Sequence, residues 1–351
     1  MPYITIQGNK THYYQKYNFQ DDLPTLLFVH GAGGSGKNWS YQLAGIPGYN
    51  LIALDLPGHG HSEGSVAENI TEYCQFVRSF AQALELKQFT IAGHSMGGAI
   101  ALELALGYPE VITGIIIVDS GARLRVNPTV LDKLSRGEHP LENIKYSYSP
   151  NSSPDIIAKA TEEMKRVPTD IYLADFKACN EFNVMDRVHT IIKPTLIICG
   201  QNDQMTPLKY SEYLHKELPH STLALISDAG HMAMLEQPDQ VNSAINNFLT
   251  QTFSHSIKTI SAYVNVALVD YDDSVRNHVV ELMKESLREK TNETILETTW
   301  NVEESKRTLF KNEEGVWETQ PFDSTPSEEI LTREMLEVMT VRLFVDIVSI
   351  S

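Results

Sequence analysis

The sequence predicts an α/β protein whose core is a doubly wound, mostly parallel β-sheet. Short apolar runs without polar alternation, which suit strands covered on both faces, alternate with longer segments that have the three-to-four-residue apolar spacing of helices. Strands that alternate with helices are typical of right-handed β-α-β units. Between residues 120 and 193 the alternation stops, and five prolines and helical patterns replace buried strands. We therefore expect a mostly helical insertion there.

The elements follow from local patterns along the chain. Segments 3–7 and 11–17 flank Gly8 and Asn9, residue types that favour a tight turn, and predict a β-hairpin. The other predicted strands of the sheet are 25–30, 51–55, 89–92, 111–119, 195–200 and 222–226, and the predicted helices are 66–86, 99–106, 208–218 and 238–249. With these elements the sheet is complete near residue 250.

Residues 255–351 predict a separate, small α+β accessory domain. Alternating patterns predict strands at 257–270, 294–300, 305–310, 316–320 and 341–347, and apolar spacing predicts helices at 275–287 and 328–339. This part carries 19 Asp and Glu residues against 10 Lys and Arg residues. We expect it to add stability, to pair as a homo-oligomer, to regulate access to the helical insertion or to bind a protein partner.

Composition excludes several classes of function. A net charge of −17 and a pI near 5.1 argue against nucleic acid or an anionic membrane surface as a partner. Three cysteines without Cys-x-x-Cys spacing indicate neither a disulfide framework nor a metal site. The first residues lack a signal-peptide pattern, and no apolar run reaches the roughly 18 residues of a membrane helix. These observations predict a cytoplasmic protein.

A nucleophile is predicted at Ser95. The string Gly93-His94-Ser95-Met96-Gly97 lies between a predicted strand and a predicted helix, which is the context of a nucleophile elbow. Small neighbours let the strand and helix approach closely around a strained serine, and the helix start favours negative charge. By itself the five-residue pattern also fits a small-residue turn with a serine helix cap.

An acid and a base follow in chain order. Asp203 lies in the loop after the strand at 195–200, and His231 lies in the loop after the strand at 222–226. Serine is a weak nucleophile until a base takes its proton, and an acid must orient that base. All three residues follow parallel strands, and open α/β sheets place their sites at the carboxyl ends of such strands.

Residues 5–249 resemble the α/β-hydrolase superfamily. The motifs are HGAGGSG, DLPGHGHS, GHSMGG, GQND and DAGHMAMLEQP, and they occur in the superfamily's order. The resemblance implies a triad of Ser95, Asp203 and His231, with an oxyanion hole formed by the backbone amides of Ala32 and Met96. It also implies a core of residues 1–121 and 191–254 and a helical cap at 122–190.

Several residues keep alternative roles. Some members of the superfamily carry the triad acid where Asp119 stands, and Asp228 lies three residues before His231. Trp39 and Met232 are candidate pocket walls or ordinary core residues. The glycines at 31–36 lack the Gly-Lys-Ser/Thr ending of a phosphate-binding loop, so we prefer the oxyanion interpretation.

The resemblance implies a serine hydrolase that cleaves a carboxylic ester-type bond of a small molecule through an acyl-enzyme and needs no cofactor. Lactonase, thioesterase, monoacylglycerol lipase and carbon–carbon bond hydrolase are alternatives on the same triad. A ligand-sensing protein with little turnover is a further alternative. Tyr146, Tyr148, Tyr172 and Phe176 in the insertion predict a partly aromatic pocket that prefers short or medium acyl groups.

Overall fold

The structure, a computed structural model, describes residues 2–15, 19–20, 23–253, 260–268, 295–311, 317–321 and 335–349. The chain divides into two compact units, Met1–Phe253 and Ser254–Ser351.

The first unit is built on an eight-stranded sheet, and the predicted α/β fold is confirmed. Its strands are β1 Tyr3–Ile6, β2 Asn9–Gln15, β3 Thr25–Val29, β4 Asn50–Leu54, β5 Phe89–His94, β6 Ile112–Val118, β7 Thr195–Gly200 and β8 Ser221–Ile226. They lie in the order β1-β2-β4-β3-β5-β6-β7-β8. β1 and β2 form the antiparallel hairpin, and β2 also pairs antiparallel with β4, whereas every other pair is parallel.

Alternate residues of the central strands pack into two separate apolar layers. On one face, Leu27, Ile91 and Ile117 belong to a core cluster that includes residues of the helices α2 Ile70–Ala83 and α3 Met96–Gly107. On the other face, Phe28 and Ile116 pack with residues of the helices α1 Ser40–Gly45, α8 Ala233–Glu236 and α9 Pro238–Phe253. Because both faces are covered, these strands carry apolar side chains in continuous runs.

The helix boundaries differ by a few residues from those expected. α2 begins at Ile70 because Asn69 caps it and accepts a hydrogen bond from the Glu72 amide at 2.9 Å. α7 spans Lys209–Glu217. Sequence patterns missed α1 and the 3₁₀ turn Gly36–Trp39 before it, since six- and four-residue helices are too short to show a clear apolar period.

Between β6 and β7 the chain is helical, as expected. It contains α4 Pro128–Ser135, α5 Pro154–Arg166 and α6 Thr169–Glu181, together with 3₁₀ turns at Leu141–Ser147 and Val188–Thr190. Residues 122–190 are called the cap segment below. No helix among the described residues has the length and apolar character needed to cross a membrane.

The described residues of the second unit form a four-stranded antiparallel sheet. Its strands are β9 Ile260–Leu268, β10 Ile295–Lys311, β11 Trp317–Pro321 and β12 Met335–Ser349, in the order β11-β10-β12-β9. The helix expected at 275–287 lies outside the described residues. Of the helix expected at 328–339, the described part, residues 335–339, instead belongs to β12 and pairs with β10.

Candidate active site

Ser95 occupies a strained turn between β5 and α3. Its φ of 51° and ψ of −113° are unfavourable for a residue with a side chain, so the backbone is strained at this position. The turn needs glycine on both sides. A Cβ atom on Gly93 would lie 2.0 Å from the Gly97 carbonyl oxygen, and one on Gly97 would lie 2.3 Å from the Val29 carbonyl oxygen. The local sequence therefore dictates the turn.

His231 connects Ser95 to Asp203. Its Nε2 lies 3.0 Å from Ser95 Oγ, and its Nδ1 lies 2.9 Å from Asp203 Oδ2. The imidazole and the carboxylate are buried, and Ser95 is half-buried. The distances allow Nε2 to accept the serine proton while the Nδ1–H group donates to the carboxylate.

Asp203 is held by its own loop. Oδ1 accepts hydrogen bonds from the amides of Met205 at 2.7 Å and Thr206 at 3.0 Å. Oδ2 accepts from the Thr206 hydroxyl at 2.7 Å as well as from His231. With two donors on each oxygen, the carboxylate has one orientation that satisfies all its partners.

The interaction between Asp203 and His231 shifts their pKa values in opposite directions. Burial alone would raise the pKa of Asp203, but His231 and the Thr206 hydrogen bonds lower it to about 2. Burial alone would lower the pKa of His231, but the charge and hydrogen bond of Asp203 outweigh it and raise the pKa above its usual value. The acid therefore stays ionised, and the base binds a proton more readily than a free histidine does.

His94, which sequence reasoning did not single out, is hydrogen-bonded to the backbone of His231. Its Nε2–H group donates to the His231 carbonyl oxygen at 2.7 Å, and the two rings lie 4.9 Å apart. Burial, aided by the charge of His231, lowers the pKa of His94 to about 3. His94 is therefore a neutral hydrogen-bond donor that fixes the backbone at His231.

The backbone amides of Ala32 and Met96 lie near Ser95, since Met96 is the next residue and a Cβ atom on Gly31, the residue before Ala32, would lie 3.2 Å from Ser95 Cβ. Met96 is the first residue of α3, and Ala32 follows β3 in a tight turn closed by the Gly34 amide and the Gly31 carbonyl oxygen at 3.0 Å. Neither of the two amides donates to a protein group in the described part of the chain. His30 anchors the same turn: its Nδ1–H group donates to the Gly31 carbonyl oxygen at 2.8 Å.

The two alternative acids have other partners. Asp119 is fully buried, and its two oxygens accept from the Gly200 amide at 2.8 Å and the Ala233 amide at 3.2 Å. Burial and the nearby charge of Asp203 raise the pKa of Asp119 well above its usual value. Asp228 is exposed, and its Oδ1 accepts from the Asn151 side chain at 3.0 Å.

The two candidate pocket residues lie in different surroundings. Trp39 is fully buried and packs against Phe28, with ring centroids 4.9 Å apart, on the α9 side of the sheet. Met232 is half-buried and directly follows His231. A separate groove of about 610 Å³ opens between β8 and α9, and its lining residues do not include the triad.

Two carboxylates that the sequence pattern did not reveal connect the cap segment to the loops around the site. Glu236 of α8 accepts from the Gly230 amide at 2.8 Å through Oε1, and from the Ser149 amide at 2.7 Å through Oε2. Asp175 of α6 accepts from the Gly33 amide at 2.8 Å. No local motif marks either residue, since their partners in the other segment lie 87 and 142 residues away.

Metal ligation has no support in the described residues, among which no three His, Cys, Asp or Glu side chains form a group suited to a metal ion. The three cysteines are buried and unpaired. Burial raises the pKa of each cysteine thiol, so none is present as a reactive thiolate near neutral pH.

Comparison with known proteins gives consistent matches. A family model described as the alpha/beta hydrolase family matches residues 26–244. A 2-hydroxy-6-oxononadienedioate/2-hydroxy-6-oxononatrienedioate hydrolase from Pseudomonas sp is 27% identical over 248 residues, covering 64% of this chain and 88% of the relative. The 3-oxoadipate enol-lactonase 2 of Acinetobacter baylyi is 27% identical over 237 residues, covering 64% and 88%. A thermophilic esterase of known structure is 30% identical with a TM-score of 0.63, covering 72% and 97%.

Proposed function

The chain belongs to the alpha/beta hydrolase family and is a hydrolytic enzyme, and from that premise we propose that it cleaves an ester-type bond of a small molecule through an acyl-enzyme. The observation that carries the proposal is the continuous contact from Ser95 Oγ through His231 to Asp203, at 3.0 and 2.9 Å. The strained turn at Ser95 supports it, since strain of this kind clusters at functional sites.

The proposed reaction has two steps. Ser95 Oγ attacks the substrate carbonyl carbon while His231 Nε2 takes the serine proton, and His231 then returns the proton to the departing alcohol. Water, deprotonated by the same nitrogen, attacks the acyl-enzyme and releases the carboxylic acid and Ser95. Asp203 holds the imidazole in the required tautomer and stabilises the transient imidazolium.

The amides of Ala32 and Met96 are the proposed oxyanion hole. Carbonyl attack places negative charge on the substrate oxygen, and loss of one such donor typically costs about 3–4 kcal/mol of transition-state stabilisation. The Met96 amide follows Ser95 directly, the Ala32 amide follows Gly31, which faces Ser95, and neither amide has a protein partner among the described residues. The start of α3 adds the positive end of a helix dipole at the same point.

The substrate class is proposed as a carboxylic ester with a short or medium acyl group, with lactone, thioester, monoacylglycerol and carbon–carbon bond cleavage as alternatives on the same triad. The relatives include an esterase, an enol-lactonase and a 2-hydroxy-6-oxononadienedioate/2-hydroxy-6-oxononatrienedioate hydrolase. Tyr172 of the cap segment supports an aromatic contribution to the acyl site, since its ring lies against Gly33 next to Ala32. Tyr172 also packs with Phe176, with ring centroids 5.9 Å apart, in a small apolar cluster, whereas Tyr146 is exposed.

Labelling with a fluorophosphonate tests the mechanism. We expect one covalent adduct, on Ser95, in the unaltered protein. Ser95→Ala should abolish the label and the hydrolysis of p-nitrophenyl acetate. Ser135→Ala, a matched change at an exposed serine of α4, should preserve both. A label on another serine, or hydrolysis by Ser95→Ala, would overturn the mechanism.

A substrate series tests the specificity. The measurement is kcat/KM for p-nitrophenyl esters of increasing chain length, for an aliphatic lactone and for a thioester. A maximum at short or medium acyl chains supports the ester proposal, and a maximum at long chains favours a lipase. Labelling of Ser95 without turnover of any compound would favour the ligand-sensing alternative.

For residues 255–351 we propose an accessory domain that pairs with a second copy or binds a protein partner. Support comes from the division of the chain after Phe253 and from the excess of acidic residues in this part. Light scattering of the full chain measures its oligomeric state.

A further inference from the structure

The carboxylate of Asp175 lies at a junction between the cap segment and the core. Asp175 belongs to α6 and is fully buried. Its Oδ2 accepts from the Gly33 amide at 2.8 Å and from His59 Nε2 at 2.8 Å, and its Oδ1 accepts from the Tyr73 hydroxyl at 2.5 Å. One side chain of the cap segment thus holds two loops and a helix of the core.

The charge of this carboxylate is balanced by His59. The Nδ1 atom of His59 lies 3.0 Å from the Pro57 carbonyl oxygen, which can only accept a hydrogen bond. Since Nε2 faces the carboxylate, both ring nitrogens face acceptors and both carry a proton. Burial would lower the pKa of His59, but the hydrogen bond and charge of Asp175 raise it instead. Asp175 and His59 therefore form a buried ion pair.

Gly33 connects the ion pair of Asp175 and His59 to the loop of the proposed oxyanion hole, because its amide donates to Asp175. It directly follows Ala32 and has a φ of +63°. A Cβ atom on Gly33 would lie 2.0 Å from Cε1 of Tyr172, which is one helical turn before Asp175 on α6. The loop is therefore enclosed by two cap residues, with its amide donating to one and its Cα atom against the ring of the other.

We propose that Asp175 is a positioning residue that, through the Gly33 amide, holds the Ala32 amide in place to receive the oxyanion. The inference rests on the proposed function. In a tight turn, rotation of one peptide plane also rotates the next. The ends of this turn are already fixed, because the Gly31 carbonyl oxygen accepts from the His30 ring and from the Gly34 amide. The peptide group before Gly33 could still rotate, and the hydrogen bond from the Gly33 amide to Asp175 prevents that rotation. The rate of the reaction in the core thus depends on the contact between the cap segment and the loop of Gly33.

Asp175→Asn is a sharp perturbation because Asn cannot satisfy both partners at the Oδ2 position. An amide oxygen there would accept from Gly33, but His59 would lose its counter-charge and, once neutral, would turn a lone pair toward that oxygen. An amide nitrogen there would donate to neutral His59 but would face the Gly33 N–H group. Either orientation leaves a buried polar group unsatisfied, although the side-chain volume is unchanged.

The test compares three variants of the full chain. Asp175→Asn should lower kcat for p-nitrophenyl acetate by about 10- to 100-fold with little change in KM, because a displaced oxyanion donor costs less than the roughly 10²- to 10³-fold of a donor that is lost outright. Asp170→Asn, the same change at an exposed residue of α6, should leave both constants unchanged. Tyr73→Phe removes the partner of Oδ1 but retains both Oδ2 contacts, so it should lower kcat less than Asp175→Asn does.

Two further measurements separate positioning from general loss of stability. A trifluoromethyl ketone, whose adduct with Ser95 carries an oxyanion, should bind Asp175→Asn more weakly by about the factor lost in kcat. Hydrogen exchange should accelerate in residues 31–36 of this variant and not in α3. If Asp175→Asn does not fold, Asp175→Glu retains the counter-charge of His59 while moving the carboxylate by one bond, and should show the same pattern.

Other results would overturn the inference. They are equal activity of Asp175→Asn and Asp170→Asn, a rise in KM that accounts for the whole loss, or an equal loss of kcat in Tyr73→Phe. Failure of the proposed function appears separately, as absence of Ser95 labelling and ester turnover in the unaltered protein. In that case faster exchange at 31–36 would mark the contact of Asp175 as structural only, and the positioning role would be rejected.

Discussion

Replacement of Asp203 by Asn should inactivate the enzyme by reversing the tautomer of His231. The backbone amides of Met205 and Thr206 both donate to Oδ1 of Asp203. An Asn side chain therefore places its oxygen, which can accept both hydrogen bonds, at the Oδ1 position. The amide nitrogen then occupies the Oδ2 position, 2.9 Å from His231 Nδ1. Two donors cannot share that contact, so the imidazole proton moves to Nε2 and the nitrogen facing Ser95 ceases to be a base.

The magnitude follows from this change of tautomer. The equivalent substitution in a well-studied Ser-His-Asp triad lowers kcat by about 10⁴, and a factor of 10⁴ corresponds to about 5.4 kcal/mol in the activation free energy. Side-chain volume and most backbone contacts are retained in Asp203→Asn. The melting temperature should therefore change far less than the activity does.

Asp119→Asn is the matched comparison. Asp119 is also buried, but its two oxygens accept from the backbone amides of Gly200 and Ala233, and neither oxygen is hydrogen-bonded to the ring of His231. Asn retains one of these hydrogen bonds, and leaving the other amide unsatisfied costs about 1–3 kcal/mol of stability. We expect a clear decrease in melting temperature with a much smaller loss of kcat.

The assay is steady-state hydrolysis of p-nitrophenyl acetate by the two variants, together with thermal unfolding followed by circular dichroism. A greater loss of kcat in Asp119→Asn than in Asp203→Asn would assign the acid to Asp119. A loss of less than about tenfold in Asp203→Asn would show that the carboxylate does not set the tautomer, contrary to the behaviour of known triads.

Three further predictions concern pH, the loop of the base and the second unit. Because Asp203 raises the pKa of His231, kcat/KM measured against pH should fall on acidification with a midpoint above the usual histidine value of about 6.5; a midpoint below that value would contradict the assigned base. Glu236→Gln should lower both melting temperature and kcat, since it weakens the contact to the Gly230 amide, whereas Asp239→Asn at an exposed site should change neither. A chain ending at Phe253, where α9 ends, should fold by circular dichroism and retain fluorophosphonate labelling of Ser95; a folded but unlabelled truncation would show that residues 254–351 complete the site.

The core of the fold could be predicted because its signals are local. A strand buried on both faces carries consecutive apolar side chains, and β3, β6 and β7 contain such runs at 26–29, 115–118 and 196–199. The turn at Ser95 is equally local, since glycines two residues before and after the serine make the approach of strand and helix possible. The positions of Asp203 and His231 then follow from topology, because loops after neighbouring parallel strands meet at one edge of the sheet.

The contacts between the cap segment and the core could not be predicted in the same way. Gly33 and Asp175 are separated by 142 residues, and Ser149 and Glu236 by 87. A buried aspartate on an amphipathic helix and an exposed one give the same sequence pattern. Only the seating of α6 on the loops distinguishes Asp175 from Asp170. The role of His94 was missed for a similar reason, since the second position of the elbow motif accepts many residues.

Two carboxylates, the buried Asp175 and the half-buried Glu236, limit how specificity can change. Glu236 connects the cap segment to the loop of His231, and Asp175 connects it to the loop of Ala32, so the cap segment is attached beside both the base and the proposed oxyanion donor. A cap segment that is altered to accept another substrate must keep both attachments, because losing either moves a group that acts on every substrate. Positions of the cap segment that make neither attachment are free of this constraint. Substitutions there should alter the ratio of kcat/KM between two esters, whereas substitutions at the attachments should lower kcat for both esters alike.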